Sequence, residues 1–306
     1  MQITDTILMV RPAAFGPNEE TATTNYFQSA SQKLNDQSIQ QSAIKEFDNM
    51  VEILRNHDIN VFIIDDTPAP VKPSAIFPNN WLSTSPEGIV SVFPMYAPNR
   101  RPEKREDILK LLAEKFVVKE VQDWSEFELR GKFLEGTGSM VIDHENKVIY
   151  TCYSPRTDIS VLEKFANANK YRAIVFLATD KNGHPVYHTN VVMTLGENFA
   201  VLCEEAIEEE WELIAIRQLL DSSGHDVIRI TKDQMHGFAG NMLQVKNTKG
   251  KKFLVMSQTA FDALYNDQKE ELSARNILLP IPIPVIEQTE GGSVRCMMAE
   301  IFLERK

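Results

Sequence analysis

Three times along this chain a β-hairpin is followed by a helix and then another strand, and this recurrence limits the fold more than any other feature. Segments 140–142 and 148–152 are apolar and flank Asp143-His-Glu-Asn146, which reads as a hairpin turn. A helix from about 160 to 169 and a strand at 173–176 follow. Segments 191–194 and 199–202 flank Gly196-Glu-Asn198, and a helix from about 205 to 222 leads to a strand at 226–229. Segments 242–245 and 253–256 come next, ahead of a helix from about 258 to 274 and a strand at 277–279. The interval is roughly fifty to sixty residues, a spacing that marks a repeat architecture. It argues against a single Rossmann sheet, for which a GxGxxG after the first strand is expected and is absent.

The first part of the chain is less regular. Residues 6–10 read as a strand. Residues 38–57 carry Ile39, Ala43, Phe47, Val51 and Leu54 at helical spacing, and 60–64 read as a strand. A strand at 90–93, a helix from about 103 to 116 and a strand at 117–118 follow. The Pro-rich stretch 67–73 is short and runs directly into an apolar motif, so it reads as an ordered loop.

Bulk properties exclude several function classes. A net charge of -11 argues against a nucleic-acid or anionic-membrane surface, because both need clustered cations. The first residues lack the charged and apolar regions of a signal peptide, and no apolar run is long enough to span a bilayer. Three cysteines, at 152, 203 and 296, form no disulfide framework and fit a reducing cytoplasm. With no CxxC and no Cys/His cluster, a structural metal is not expected.

Polar motifs fall at the ends of these strands: Phe77-Pro-Asn-Asn-Trp81, Leu134-Glu-Gly-Thr-Gly-Ser139 with Arg156-Thr157, His188-Thr-Asn190, and Glu290-Gly-Gly-Ser-Val-Arg-Cys296. Each has a plain structural reading when taken alone. Asn and Pro form turns. A loop Glu is commonly solvated, and a single His is commonly structural. A lone Cys can be a small core hydrophobe, which is the reading for Cys152 and Cys203 inside their apolar strands. Together they change the balance. Cys296, His188 and Glu135 are a nucleophile, a proton-transfer group and an orienting carboxylate. Asn80 and Asn190 supply neutral amides, and Arg156 and Arg295 supply cations suited to a carboxylate. A repeat fold gathers such loops around one central site.

In these motifs and their order the chain resembles the guanidino-group-modifying pentein superfamily, which includes arginine deiminases, dimethylarginine hydrolases and amidinotransferases. Within it the pattern looks most similar to the citrulline-utilisation hydrolases. The resemblance implies one domain over residues 1–306, an α/β propeller of five ββαβ units with its site in the central channel. It implies Cys296 as nucleophile, His188 as general acid/base, Glu135 as the carboxylate that grips a substrate nitrogen and supports His188, and Arg156 as a ligand of the substrate carboxylate. Phe77 heads the first motif. No cofactor or metal is needed. The expected partner is a small amino acid, citrulline or an arginine derivative.

Two departures from the deiminase pattern shape the functional expectation. Asn80 and Asn190 stand where arginine deiminases carry two aspartates that hold the guanidinium. Asp is anionic and accepts only, whereas Asn also donates, so the change favours a neutral ureido group over a cation. Glu290 stands where those enzymes carry a carboxylate-binding Arg. That task is left among Arg156, Arg295 and Arg11, although Arg11 also fits a surface ion pair. The leading expectation is a hydrolase converting citrulline to ornithine, carbon dioxide and ammonia. The alternatives are arginine deimination, methylarginine hydrolysis, amidino transfer, or a catalytically silent binding protein.

Overall fold

The computed structural model describes residues 1–28 and 36–306. Among them, fifteen strands make five three-stranded sheets. In chain order these are β1 (Thr6–Arg11), β2 (Asn60–Asp65), β3 (Leu82–Thr84), β4 (Ile89–Val92), β5 (Glu120–Asp123), β6 (Val141–Asp143), β7 (Val148–Cys152), β8 (Arg172–Phe176), β9 (Met193–Leu195), β10 (Phe199–Leu202), β11 (Asp226–Arg229), β12 (Leu243–Lys246), β13 (Lys252–Ser257), β14 (Ile277–Ile281) and β15 (Ala299–Glu300).

Every sheet has the same plan. Its first two strands pair antiparallel, and a connection through a helix returns the third parallel to the second, as a parallel pair requires. The connecting helices are α1 (Asp36–Asn56), α2 (Glu106–Lys115), α3 (Ile159–Ala168), α4 (Glu210–Ser222), and the pair α5 (Gln258–Ala263) and α6 (Asn266–Ser273). The sequence exposes three such units and the structure contains five. The extra ones are β3–β4–α2–β5 and a unit whose first strand comes from the far end of the chain: β15 pairs antiparallel with β1, and β1 runs parallel to β2.

Burial explains why these segments fold as they do. The middle strands β7 and β10 are buried at every position, so they read as continuous apolar runs. Third strands such as β8 and β11 lie half exposed at the sheet edge. Helix α1 buries Ile39, Ala43, Phe47, Met50, Val51 and Leu54 along one stripe. Helix α3 starts at Asp158, whose carboxylate accepts from Ser160 N and Val161 N.

Three expected boundaries shift. The strand expected at 117–118 lies at β5, whose sequence Glu-Val-Gln-Asp hides an exposed edge strand. The helix expected from 205 begins at Glu210, after a short turn at Glu204–Ala206. The helix expected over 258–274 breaks at Leu264 and Tyr265, which are extended, and restarts where Tyr265 N donates to Gln268 Oε1 at 2.8 Å. The Pro-rich stretch is anchored by buried Lys72, which pairs with Asp66 at 3.2 Å and donates to Thr67 and Pro70 carbonyls. No described helix is long and apolar enough to cross a membrane.

Candidate active site

The repeat places one short turn ahead of the first strand of each sheet. Pro78–Asn80 precedes β3, Gly136–Ser139 precedes β6, Thr189–Val192 precedes β9 and Val294–Met297 precedes β15. The turn at 237–240 takes that place before β12, with Asn241 next. The first turn packs against the second and the fourth, and the second against the third. Asn80, Asn190, Asn241 and Cys296 therefore converge from equivalent positions. Asn241 was not singled out in the sequence. The signal was available, because Gly240-Asn241 stands just before its strand as Asn80 and Asn190 do before theirs.

Cys296 is 3% exposed. Asn241 Nδ2 lies 3.4 Å and Asn190 Nδ2 3.6 Å from its Sγ, so two amide donors face the sulfur. Asn241 also donates to Asn190 O at 2.8 Å and accepts from Arg295 N at 3.1 Å, which ties the third turn to the fourth. Ahead of Cys296, Gly291 ends the helix Pro284–Glu290 with φ at 63°, a conformation that needs glycine. Its carbonyl accepts from the Tyr187 hydroxyl at 2.8 Å, so the loop before Cys296 is pinned to the residue before His188.

His188 Nε2 lies 2.8 Å from Glu135 Oε2, and both side chains are buried. The other oxygen of Glu135 accepts from Tyr96 N at 3.0 Å. Burial alone would raise the Glu135 pKa, but the charge of Arg156, 3.5 Å away, and the contact with His188 hold it well below the usual carboxylate range. Burial pushes His188 down to about 4 against the opposing pull of Glu135. At neutral pH the pair is an ionised Glu135 and a neutral His188 whose Nε2–H donates to it. Gly138 allows the close approach here: a Cβ on it would lie 2.5 Å from Asn80 Nδ2 and 2.8 Å from His188 Nδ1.

Arg100 is a site residue that sequence reading missed. It sits outside the polar motifs, in the 3-10 helix Pro98–Glu103. Buried, it forms a two-bond pair with Glu103 at 2.8 and 2.9 Å and donates from Nη1 to Asn80 Oδ1 at 2.8 Å. Asn80 Nδ2 donates to Asn79 Oδ1 at 3.1 Å. The amide of Asn80 is thereby oriented, with its oxygen engaged and one N–H left to donate.

Arg156 is held by Thr24 Oγ1 at 2.9 Å and Thr21 O at 3.1 Å, and its guanidinium lies 4.7 Å over the Tyr187 ring. A small cavity of about 20 Å³ is lined by Cys296, His188, Asn80, Phe77, Arg100, Arg156, Tyr187, Glu290, Gly292, Thr21 and Asn25. That is space for about one water, so an amino acid enters only if the lining opens. A groove of about 600 Å³ beside Asn60 and Phe116 contains none of these residues.

Two candidates lie elsewhere. Arg11 is at the surface in a two-bond ion pair with Asp48 at 2.8 Å, as expected if it is a surface residue rather than a substrate ligand. Arg295 turns away from Cys296: its Nη1 donates to Met298 O at 2.8 Å and its Nη2 pairs with Glu300 at 2.9 Å, beside a second cavity. The cation next to Cys296 in sequence is thus not its neighbour in space, because consecutive residues of a short turn point in different directions. Cys152 and Cys203 are core thiols, with burial pushing both up to about 12. No cluster of three potential metal ligands occurs among the described residues.

Comparison with known proteins places the chain in a family and a fold. Residues 11–303 match the sequence profile of the family described as N,N dimethylarginine dimethylhydrolase, eukaryotic. The chain belongs to the N,N-dimethylarginine dimethylhydrolase family. This places it among the guanidino-group-modifying hydrolases of the pentein superfamily. No curated protein sequence matches it. Among solved structures, the N-terminal domain of ArgZ, an arginine dihydrolase of the ornithine–ammonia cycle in Cyanobacteria, is 15% identical, with 98% of each chain covered and a TM-score of 0.74. Unliganded AgrE is 15% identical at a TM-score of 0.75, with 98% of this chain and 39% of that one covered. DDAH from Pseudomonas aeruginosa, solved as a cysteine-to-serine mutant complexed with citrulline, is 12% identical, with 98% and 100% covered and a TM-score of 0.67. At these identities the likeness is one of fold, and the five sheets of this dimethylarginine dimethylhydrolase family member are those of a pentein.

Proposed function

We propose that this protein hydrolyses the ureido carbon–nitrogen bond of citrulline through a covalent intermediate on Cys296. The observation that carries the reading is the fixed amide of Asn80. Its oxygen is occupied by Arg100, so what it offers a ligand is an N–H. A ureido carbonyl accepts that bond, and a guanidinium, which has only donors there, does not. With Asn190 and Asn241 beside the sulfur, the reacting carbon is met by neutral amides rather than by carboxylates.

In this reading Cys296 passes its proton to the free ring nitrogen of neutral His188 as the sulfur bonds to the ureido carbon. Asn80 donates to the oxygen on which charge builds. His188, kept in its tautomer by Glu135, gives the proton to the departing δ-nitrogen, and ornithine leaves with the carbamoyl group on sulfur. His188 then takes a proton from water as the oxygen attacks that carbon. The carbon–sulfur bond breaks, the proton returns to the thiolate, and the carbamate falls apart to carbon dioxide and ammonia. Arg156 binds the α-carboxylate.

A second reading, a guanidino substrate, is favoured by the family match and by the carboxyl of Glu290 in the cavity. Incubation with citrulline, arginine and dimethylarginine, followed by ornithine and ammonia assays, separates the two. Ornithine from citrulline, absent with Cys296→Ala, is the expected result. Consumption of arginine or dimethylarginine with citrulline untouched sinks the citrulline proposal.

A further inference from the structure

Glu290 is a buried cavity-lining carboxyl for which the catalytic scheme has no use. It is 3% exposed. Its Oε2 accepts from Ser74 Oγ at 2.9 Å, while Oε1 is buried with no hydrogen-bond partner among the described residues. A buried oxygen left unpaired is costly, and such a group calls for a ligand. The surroundings fix its position. Asn18 donates to Ser74 Oγ at 2.8 Å, and Asn25 donates to the Glu290 carbonyl at 2.8 Å. Both come from the segment that carries Thr21 and Thr24 against Arg156. Cys296, by contrast, has Asn190 and Asn241 as its polar neighbours and shares no hydrogen bond with Glu290. Glu290 and Arg156 both line the cavity that Cys296 lines, and Glu290 has no hydrogen bond to Cys296, His188 or Glu135.

We infer that Glu290 is the subsite for the α-ammonium group of an amino-acid substrate, its free Oε1 accepting from the substrate N–H while Arg156 takes the α-carboxylate. A carboxyl and a guanidinium lining one cavity match the two charges of a zwitterionic amino-acid head. The inference rests on the proposed reading of the site as an amino-acid hydrolase, and it holds for either a ureido or a guanidino side chain. The groups that face Glu290 are Ser74, Asn25 and the charges of Arg100, Glu103 and Arg156. Burial, offset in part by Ser74 and Arg100, raises its pKa to about 8, so the empty pocket holds it protonated at neutral pH and an arriving ammonium drives the proton off.

The test uses Cys296→Ala protein and calorimetry with two ligand pairs: citrulline against 5-ureidopentanoate, and arginine against 5-guanidinopentanoate. The second member of each pair lacks only the α-amine. Loss of the amine is expected to weaken binding roughly 10- to 100-fold with Glu290 present, and less than about threefold in Glu290→Gln. Glu290→Asp, which keeps the charge, restores part of the difference. In unsubstituted Glu290 protein the amine-bearing ligand also releases protons near pH 7, and its partner does not, which tests the idea without any change at 290. An equal amine effect in all variants overturns the inference, as does binding of none of the four ligands. If Glu290→Gln weakens both guanidino ligands alike and spares both ureido ligands, Glu290 grips the side chain instead and the inference fails. Binding of the arginine pair alone, with the amine effect intact, sinks the citrulline reading and leaves the Glu290 assignment standing.

Discussion

Glu290 also gives the empty protein a pH response. Its folded pKa, near 8 because of burial, lies above the ordinary 4.5 of the unfolded chain. The folded state therefore holds a proton that the unfolded state has lost, and this contribution is complete below about 4.5 and fades as pH rises to 8. Melting at about pH 6 and pH 8.5 is expected to show a loss on the order of 1–3 kcal/mol in the ligand-free protein. Glu290→Gln, with no proton to lose, is expected to show a clearly smaller loss. An identical decline in both proteins would assign the response to other groups. The residue was conspicuous in the sequence, since it heads the segment of Cys296. Its partners, Ser74, Asn18 and Asn25, come from more than two hundred positions away, so no local pattern could reveal them.

At the scale of single elements, the turn Gly136–Ser139 shows how tightly the site is assembled. Gly138→Ala places a methyl group 2.5 Å from Asn80 and 2.8 Å from His188. Both side chains have to shift, and the hydrogen bond from His188 to Glu135 shifts with them. A fall in kcat of roughly 100-fold or more is expected, since small displacements of catalytic groups are that costly, with far-ultraviolet dichroism unchanged. Unaltered kinetics would mean that the two turns slide apart without consequence. The elements differ in how legible they were. The hairpins β6–β7, β9–β10 and β12–β13 stand out because apolar residues dominate their middle strands. β3 has three residues and β5 reads as polar, so their sheet was only partly visible. Helices α5 and α6 read as one because both are amphipathic and the break lies in two extended residues, Leu264 and Tyr265. Cys296, His188 and Glu135 were legible because chemistry of that type recurs at strand ends. Arg100 was not, because it lies in a connection between sheets and acts by fixing Asn80. Arg11 and Arg295 look alike as cations in sequence, and only the fold shows one on the surface and the other turned from the sulfur.

On the scale of the whole molecule, the sheet β15–β1–β2 joins the two ends of the described chain. β15 pairs at Ile7 with Glu300 and at Leu8 with Ala299, and Ile301 N donates to Thr6 O at 2.9 Å. Ile301 is 2% exposed and packs in the cluster that also holds Leu8, Val10, Trp81 and Leu82. Ile301→Ala is expected to lower stability by roughly 2–5 kcal/mol, read as an earlier urea midpoint with an unchanged slope. Activity in the absence of urea should persist, because Ile301 is not among the residues that line the cavity. A midpoint unmoved by the substitution would show that the seam carries little of the stability.

The position of that seam has a consequence for how the protein matures. Cys296 sits three residues before β15, the strand that pairs with β1, and its loop is also tied to Tyr187 and Asn241. A ribosome would release Asn80, Glu135, His188 and Asn241 well before the sulfur, so under the proposed function the other loops could fold first and the reacting thiol would join them later.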